Sequence, residues 1–153
     1  MENDPKADLN AKSVAAELDA AHERARMAYA NRDATAYIET LHPDLEYTRA
    51  DGRTIGREEL AHDIRVQLAR MRSARTEFRR EALEIASATG RATETLEQRA
   101  TFQVRAFGII CREWTVLRRG RYEWLRTGNG WKLRRVHVLA EEVLPARTWL
   151  GIR

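Results

Sequence analysis

Trp124-Leu125-Arg126-Thr127-Gly128-Asn129-Gly130-Trp131-Lys132-Leu133-Arg134-Arg135-Val136-His137-Val138 reads as two β-rich runs joined by a Gly-Asn-Gly turn. Gly and Asn tolerate the left-handed backbone angles that a tight hairpin needs. Strict alternation along the second run puts Trp131 and His137 on the same side. The stretch therefore predicts that the C-terminal half is an antiparallel sheet closed by a tight hairpin, with ionisable side chains among its apolar ones.

Upstream of that hairpin the pattern continues. Residues 76–88, 91–107 and 110–127 are long β-like runs, and 131–143 is the fourth. Thr89-Gly90 and Gly108 mark the turns between the first three, and Gly120 marks a bulge or a further hairpin. The N-terminal third has a different period. Val14, Leu18, Ala21, Ala25 and Ala28 form a helical stripe over residues 13–30. Asn31-Arg32-Asp33 breaks it, and Asp33 can cap a short second helix holding Tyr37, Ile38 and Leu41. Pro43 is expected to stop that helix, because the residue before a proline avoids helical angles. Residues 45–49 read as a strand, Asp51-Gly52 as a turn, and 53–55 as the return. Gly56-Arg57-Glu58-Glu59 opens a third helix with its acids near the positive end of the helix dipole. Leu60, Ile64, Leu68 and Met71 are its core stripe.

The expected fold class is α+β: three N-terminal helices packed on a curved antiparallel β-sheet, forming a cone with an internal pocket. A flexible tail is expected over residues 1–10, a single domain over 11–144, and a C-terminal tail over 145–153. Trp149, Leu150 and Ile152 make that last tail too apolar to hang free, so it is expected to pack on the body or on a partner subunit.

The chain has 153 residues, 43% hydrophobic and 33% charged, which fits one domain with one core and a heavily charged surface. A single cysteine, Cys111, excludes an intramolecular disulfide. The N-terminal segment MENDPKADLNAKS is acidic and polar, without the apolar core of a signal peptide, and no run of 18 apolar residues occurs. These features lead to the expectation of a cytoplasmic protein with no membrane partner. The formal charge of +4 invites a nucleic-acid reading. The arginines are scattered among acids, however, and a basic stripe with interleaved aromatics is missing, so no nucleic-acid partner is expected.

The order of elements resembles the nuclear transport factor 2-like superfamily, with its SnoaL-like and ketosteroid isomerase-like branches. Four segments carry the resemblance: Tyr29-Ala30-Asn31-Arg32-Asp33 at the helix break, Leu41-His42-Pro43-Asp44-Leu45 entering the first strand, residues 51–60 from Asp51-Gly52 into the third helix, and Gly130-Trp131-Lys132-Leu133 with His137 in the closing strand. The resemblance implies a small-molecule pocket and a homodimer formed through the sheet face. It does not imply one chemistry, because this fold hosts enzymes and binders alike. Aligned on the helix break, the isomerase base falls at Arg49, the helix-one tyrosine near Ala25, and the third catalytic position around Tyr122 or Glu123. Arginine stays protonated near neutral pH and cannot be that base. Ketosteroid isomerisation by the usual mechanism is therefore rejected.

The same alignment and strand alternation select a candidate pocket. Tyr47 and Arg49 come from the first strand; Glu94, Gln98 and Phe102 from the second long run; Arg112 and Trp114 from the third; Arg135 and His137 from the last. His137 is the candidate proton-transfer group near neutral pH, and Glu94 the candidate base if burial raises its pKa. Arginines near a histidine favour a carbonyl- or carboxylate-bearing ligand. Each residue also has a structural reading: Arg49 could pair with Glu94 as a buried ion pair, and His137 could be a hydrogen-bonded core histidine. His22, His42, His62 and His137 lie far apart in sequence, and no metal-binding, nucleotide-binding or serine-nucleophile motif occurs, so no metal and no cofactor are expected. The reading is a small-molecule-binding protein, with cofactor-independent acid/base catalysis on one side and a non-catalytic homodimeric ligand-binding or interaction module on the other.

Overall fold

Helix α1 (Pro5–Ala30) drives Val14, Leu18 and Ala21 into the core of the computed structural model, which describes residues 5–106 and 108–150. It opens at Pro5, inside the segment expected to be a loose tail. The proline's missing N–H costs nothing in the first helical turn. Residues 1–4 of that expected tail lie outside the described residues. The helix ends where the sequence places its break. Arg32 takes a left-handed φ of 56°, and the Asn31 and Asp33 N–H groups donate back to Met27 and Ala28 carbonyls at 2.9 and 2.8 Å. Asp33 then caps α2 (Ala34–Ile38) by accepting the Ala36 N–H at 3.0 Å.

Leu41 leaves the helix earlier than expected and begins β1 (Leu41–Thr48). Pro43 sits inside this strand, within the irregular stretch between the paired positions Leu41 and Glu46, where no ladder hydrogen bond is required of it. A turn at Gly52 (φ 88°) leads to β2 (Thr54–Ile55), then α3 (Arg57–Arg70) buries Ala61, Ile64 and Leu68. Four long strands follow: β3 (Ser73–Ala86), β4 (Arg91–Ala106), β5 (Ile110–Thr127) and β6 (Gly130–Val143). Among the described residues, no helix is long and apolar enough to cross a membrane.

The sheet runs β2-β1-β6-β5-β4-β3. Its long strands are antiparallel as expected, but β1 lies parallel to β6, with Tyr47 opposite Val136, so the sheet is mixed. That pairing joins distant parts of the chain and has no local turn to announce it. The strand β7 (Arg147–Leu150) extends the sheet by pairing with the start of β5, placing Trp149 opposite Cys111. The C-terminal segment thus joins the sheet edge as far as Leu150, with all four residues of β7 exposed; Ile152 lies outside the described residues.

Two extra residues on β6 decide which side chains face inward. Glu123 pairs with Arg135 but Trp124 with Leu133, leaving Arg134 unopposed; Arg119 pairs with Ala140 but Gly120 with Val138, leaving Leu139 unopposed. The second irregularity is the bulge expected near Gly120, carried by the neighbouring strand. The first was not expected, and it reverses the alternation. Inward positions run Trp131, Leu133, Val136 and Val138, all buried, and His137 is turned to the opposite, exposed side. The outer face carries cross-strand ion pairs: Arg79 with Glu97 at 2.6 Å, Arg91 with Glu123 at 2.7 Å and Arg119 with Glu81 at 2.9 Å. Trp131 does more than seal its hairpin. Its Nε1–H donates to Glu17 of α1 at 2.6 Å, and Arg126 lies 4.8 Å over its ring.

Candidate functional site: a cavity with two polar ends

Helices α1–α3 and the inner sheet face enclose a cavity of about 600 Å³, in the size range of sites for small organic molecules. Tyr47, Arg49, Gln98, Phe102 and Trp114 line it, as the alternation of β1, β4 and β5 predicts. Four expected pocket residues do not: Glu94 is buried beside it, and Arg112, Arg135 and His137 lie away from it. Arg135 and His137 are exposed on the outer face, because the Arg134 bulge shifts them out of the inward set. Arg112 keeps the inward parity of Trp114, 6.0 Å from its ring, but lies exposed near the end of β5 opposite β7, outside the lining. Arg49 pairs with Asp63 of α3 at 2.5 Å, and Glu94 with Arg80, so the alternative Arg49–Glu94 pair does not form.

At one end stands a carboxylate with no exposure to solvent. Glu94 is buried beside the cavity and accepts four hydrogen bonds. Nε and Nη2 of Arg80 donate to Oε1 at 2.8 and 2.6 Å; Nε1 of Trp124 and Nε2 of His22 contact Oε2, each at 2.8 Å. Burial pushes the carboxyl's pKa up, but the hydrogen bonds from His22, Arg80 and Trp124 outweigh it and hold Glu94 below the ordinary value. An ionised carboxylate only accepts, so His22 must carry its proton on Nε2. In the neutral ring the lone pair is then on Nδ1. The His22 ring lines the cavity, 4.3 Å from Phe78 and edge-on to Trp124 at 5.2 Å. Glu94, expected as the base, has its oxygens occupied by protein donors; the unengaged nitrogen belongs to His22.

His22 was absent from the candidate residues, although a signal existed. It falls four residues after Leu18 and three before Ala25, on the inward stripe of α1.

Phenols run from Tyr122, the cross-strand neighbour of Glu94, across to Tyr47 at the other end. All four tyrosines of the chain, Tyr29, Tyr37, Tyr47 and Tyr122, line the cavity. Glu94, Tyr122, Val136 and Tyr47 occupy one row across β4, β5, β6 and β1. Gly120, inward of β5 and two residues before Tyr122, leaves room for that ring: a Cβ there would come within 2.9 Å of Tyr122 Cε2. The Tyr29 hydroxyl donates to Gln67 at 2.5 Å and its ring meets Tyr37 edge-on at 5.1 Å. The hydroxyls of Tyr37, Tyr47 and Tyr122 have no protein partner among the described residues. Burial raises all four phenols, against the opposing pull of Arg118, with Tyr37 pushed up to about 12. They are therefore hydrogen-bond donors at neutral pH. Arg118 is anchored through Nε and Nη2 to Glu141, both at 2.8 Å. Among the described residues, no group of three or more His, Cys, Asp or Glu is placed to hold a metal ion.

Solved structures share this architecture. The Kfla4162 protein of Kribbella flavida superposes with a TM-score of 0.70 at 20% identity, covering 86% of this chain and 95% of its own. A scytalone dehydratase-like protein of Novosphingobium aromaticivorans gives 0.73 at 10% identity, covering 91% and 90%. A type 2 hexachlorocyclohexane dehydrochlorinase gives 0.67 at 14% identity, covering 90% and 93%. No protein-family model matches the sequence, and no curated protein matches it. At these identities the likeness is one of fold: a nuclear transport factor 2-like cone, with helices packed on a curved, open, mixed sheet.

Proposed function

We propose that the cone binds a small, mostly apolar molecule and that His22, oriented by Glu94, moves a proton on it without a cofactor. The observation that carries this reading is the His22–Glu94 contact of 2.8 Å at the wall of the cavity. Glu94 fixes the imidazole tautomer and stabilises the imidazolium that forms when Nδ1 takes a proton. Arg80 and Trp124 hold the carboxylate in place and keep it charged. Fold neighbours include a dehydrochlorinase and a dehydratase-like protein, names that fit proton abstraction from a small molecule.

The test is deuterium exchange at carbon positions next to a carbonyl, followed by NMR for a panel of cyclic ketones in D₂O. The wild-type chain is expected to accelerate exchange for at least one ketone, and His22→Phe to lose about 100-fold or more of that acceleration. A panel whose members bind but never exchange would eliminate the proton-transfer role and leave a binding protein.

We also propose a homodimer through the outer sheet face, where Leu139 is 46% exposed among paired charges. A monomer in sedimentation velocity at micromolar concentration would end that proposal.

A further inference from the structure

The tyrosine side of the cavity has half-buried hydroxyls, those of Tyr37, Tyr47 and Tyr122, with no protein acceptor among the described residues. Buried polar groups are costly when unpaired, and in native proteins they find partners in protein, water or ligand. Tyr47 and Tyr122 flank Val136, which is fully buried in the same row. Gly120 gives the Tyr122 ring its place on the side toward Arg118, two residues further along β5. Arg118 spends Nε and Nη2 on Glu141, which leaves Nη1 without a protein partner among the described residues.

Charge narrows the ligand class. Every arginine that lines the cavity is matched by a carboxylate: Arg26 by Glu23, Arg49 by Asp63 and Arg118 by Glu141. Asp51 lines it too, and accepts only a backbone N–H, from Arg53. The wall thus offers hydrogen-bond donors but no uncompensated positive charge. A carboxylate entering this space would lose its hydration and gain no free cation. A carbonyl oxygen loses far less and accepts the same hydrogen bonds.

We propose that the hydroxyls of Tyr47 and Tyr122, together with Nη1 of Arg118, form a docking point for an uncharged acceptor oxygen, a ketone or aldehyde carbonyl carried on an apolar body, and that the cavity disfavours carboxylates. This narrows the expectation of a carbonyl- or carboxylate-bearing ligand to its first half. It rests on the small-molecule reading above and is independent of proton transfer by His22.

The test uses three probes of one shape: 2-acetylnaphthalene, 2-ethylnaphthalene and 2-naphthoate. Binding to the full chain is followed by the fluorescence of Trp114 and Trp124, both on the cavity wall. The ketone is expected to bind about 3- to 10-fold more tightly than the hydrocarbon, the worth of one net hydrogen bond, and naphthoate more weakly than the ketone. Tyr47→Phe and Tyr122→Phe should each remove most of the ketone's advantage. Their affinity for 2-ethylnaphthalene should be unchanged, which also reports that the cavity is intact. Equal affinity for ketone and hydrocarbon, or a ketone affinity untouched in both variants, overturns the docking point and leaves small-molecule binding standing. Naphthoate as the tightest ligand overturns the charge argument and with it the proposal. Failure of all three probes to bind overturns both this proposal and the small-molecule reading.

Discussion

The two ends of the cavity solve the problem of buried polarity in opposite ways. Around Glu94 the protein supplies every partner itself: two donors from Arg80, one each from Trp124 and His22, and none left to solvent. Around Tyr47 and Tyr122 it supplies none among the described residues, and both side chains line the cavity. A closed network contributes rigidity and a fixed ionisation state. An open one contributes little to folding and is available for recognition. The difference teaches that burial alone does not mark a binding group; what matters is whether the protein has already used its hydrogen bonds.

The contrast can be broken most sharply at Glu94. Glu94→Ala leaves the Trp124 indole N–H and the His22 ring without their acceptor and takes one of two acid partners from Arg80, which keeps Asp19 at 2.7 Å; it is expected to lower stability by about 3–5 kcal/mol in denaturant unfolding. Acid should act on the same carboxylate. Its folded pKa lies below the ordinary 4.5, so its stabilisation is present above that value and is lost as pH falls through the lower folded value. A wild-type stability curve that loses no more below pH 4.5 than that of Glu94→Gln would contradict this assignment.

Next in size is Gly120→Ala, which forces a methyl into the Tyr122 ring. Overpacking of this kind costs about 1–3 kcal/mol, and the displaced hydroxyl should weaken ketone binding in parallel with Tyr122→Phe. The smallest effects sharpen the comparison within the tyrosines. Tyr29→Phe loses the hydrogen bond to Gln67 and should cost about 1 kcal/mol, whereas Tyr47→Phe, with no protein partner to lose, should stay within about 0.5 kcal/mol. Equal losses at the two positions would show that Tyr47 is part of the folding network after all.

Local pattern carried most of the fold. The helical stripes of α1 and α3, the break at Asn31–Asp33 and the Gly-Asn-Gly hairpin are consequences of neighbouring residues, and they stand where the chain's own periodicity puts them. The parallel contact of β1 with β6 was not legible, because its register is set across the whole sheet by residues such as Tyr47 and Val136 that share no turn. The site was half legible for a related reason. On β1, β4 and β5 the alternation runs unbroken through the cavity wall, so Tyr47, Gln98, Phe102 and Trp114 fall where period two places them. On β6 one added residue moved His137 and Arg135 outside. Its trace was in the sequence: the apolar positions 131, 133, 136 and 138 skip a beat at Arg134-Arg135, a doublet that a strict alternation cannot hold. For His22 the telling signal is its place on the inward face of α1, not its spacing from the other histidines.

The parallel pairing of β1 with β6 also sets an order of assembly. Tyr47 reaches its neighbour Val136 only after α3 and three long strands have been synthesised. Helices and hairpins can form as the chain emerges from the ribosome, but the wall that joins β1 to β6 cannot. Contacts so distant in sequence slow folding and leave the early strand β1 without its partner for most of synthesis. In a growing chain, the cavity is therefore among the last features to exist.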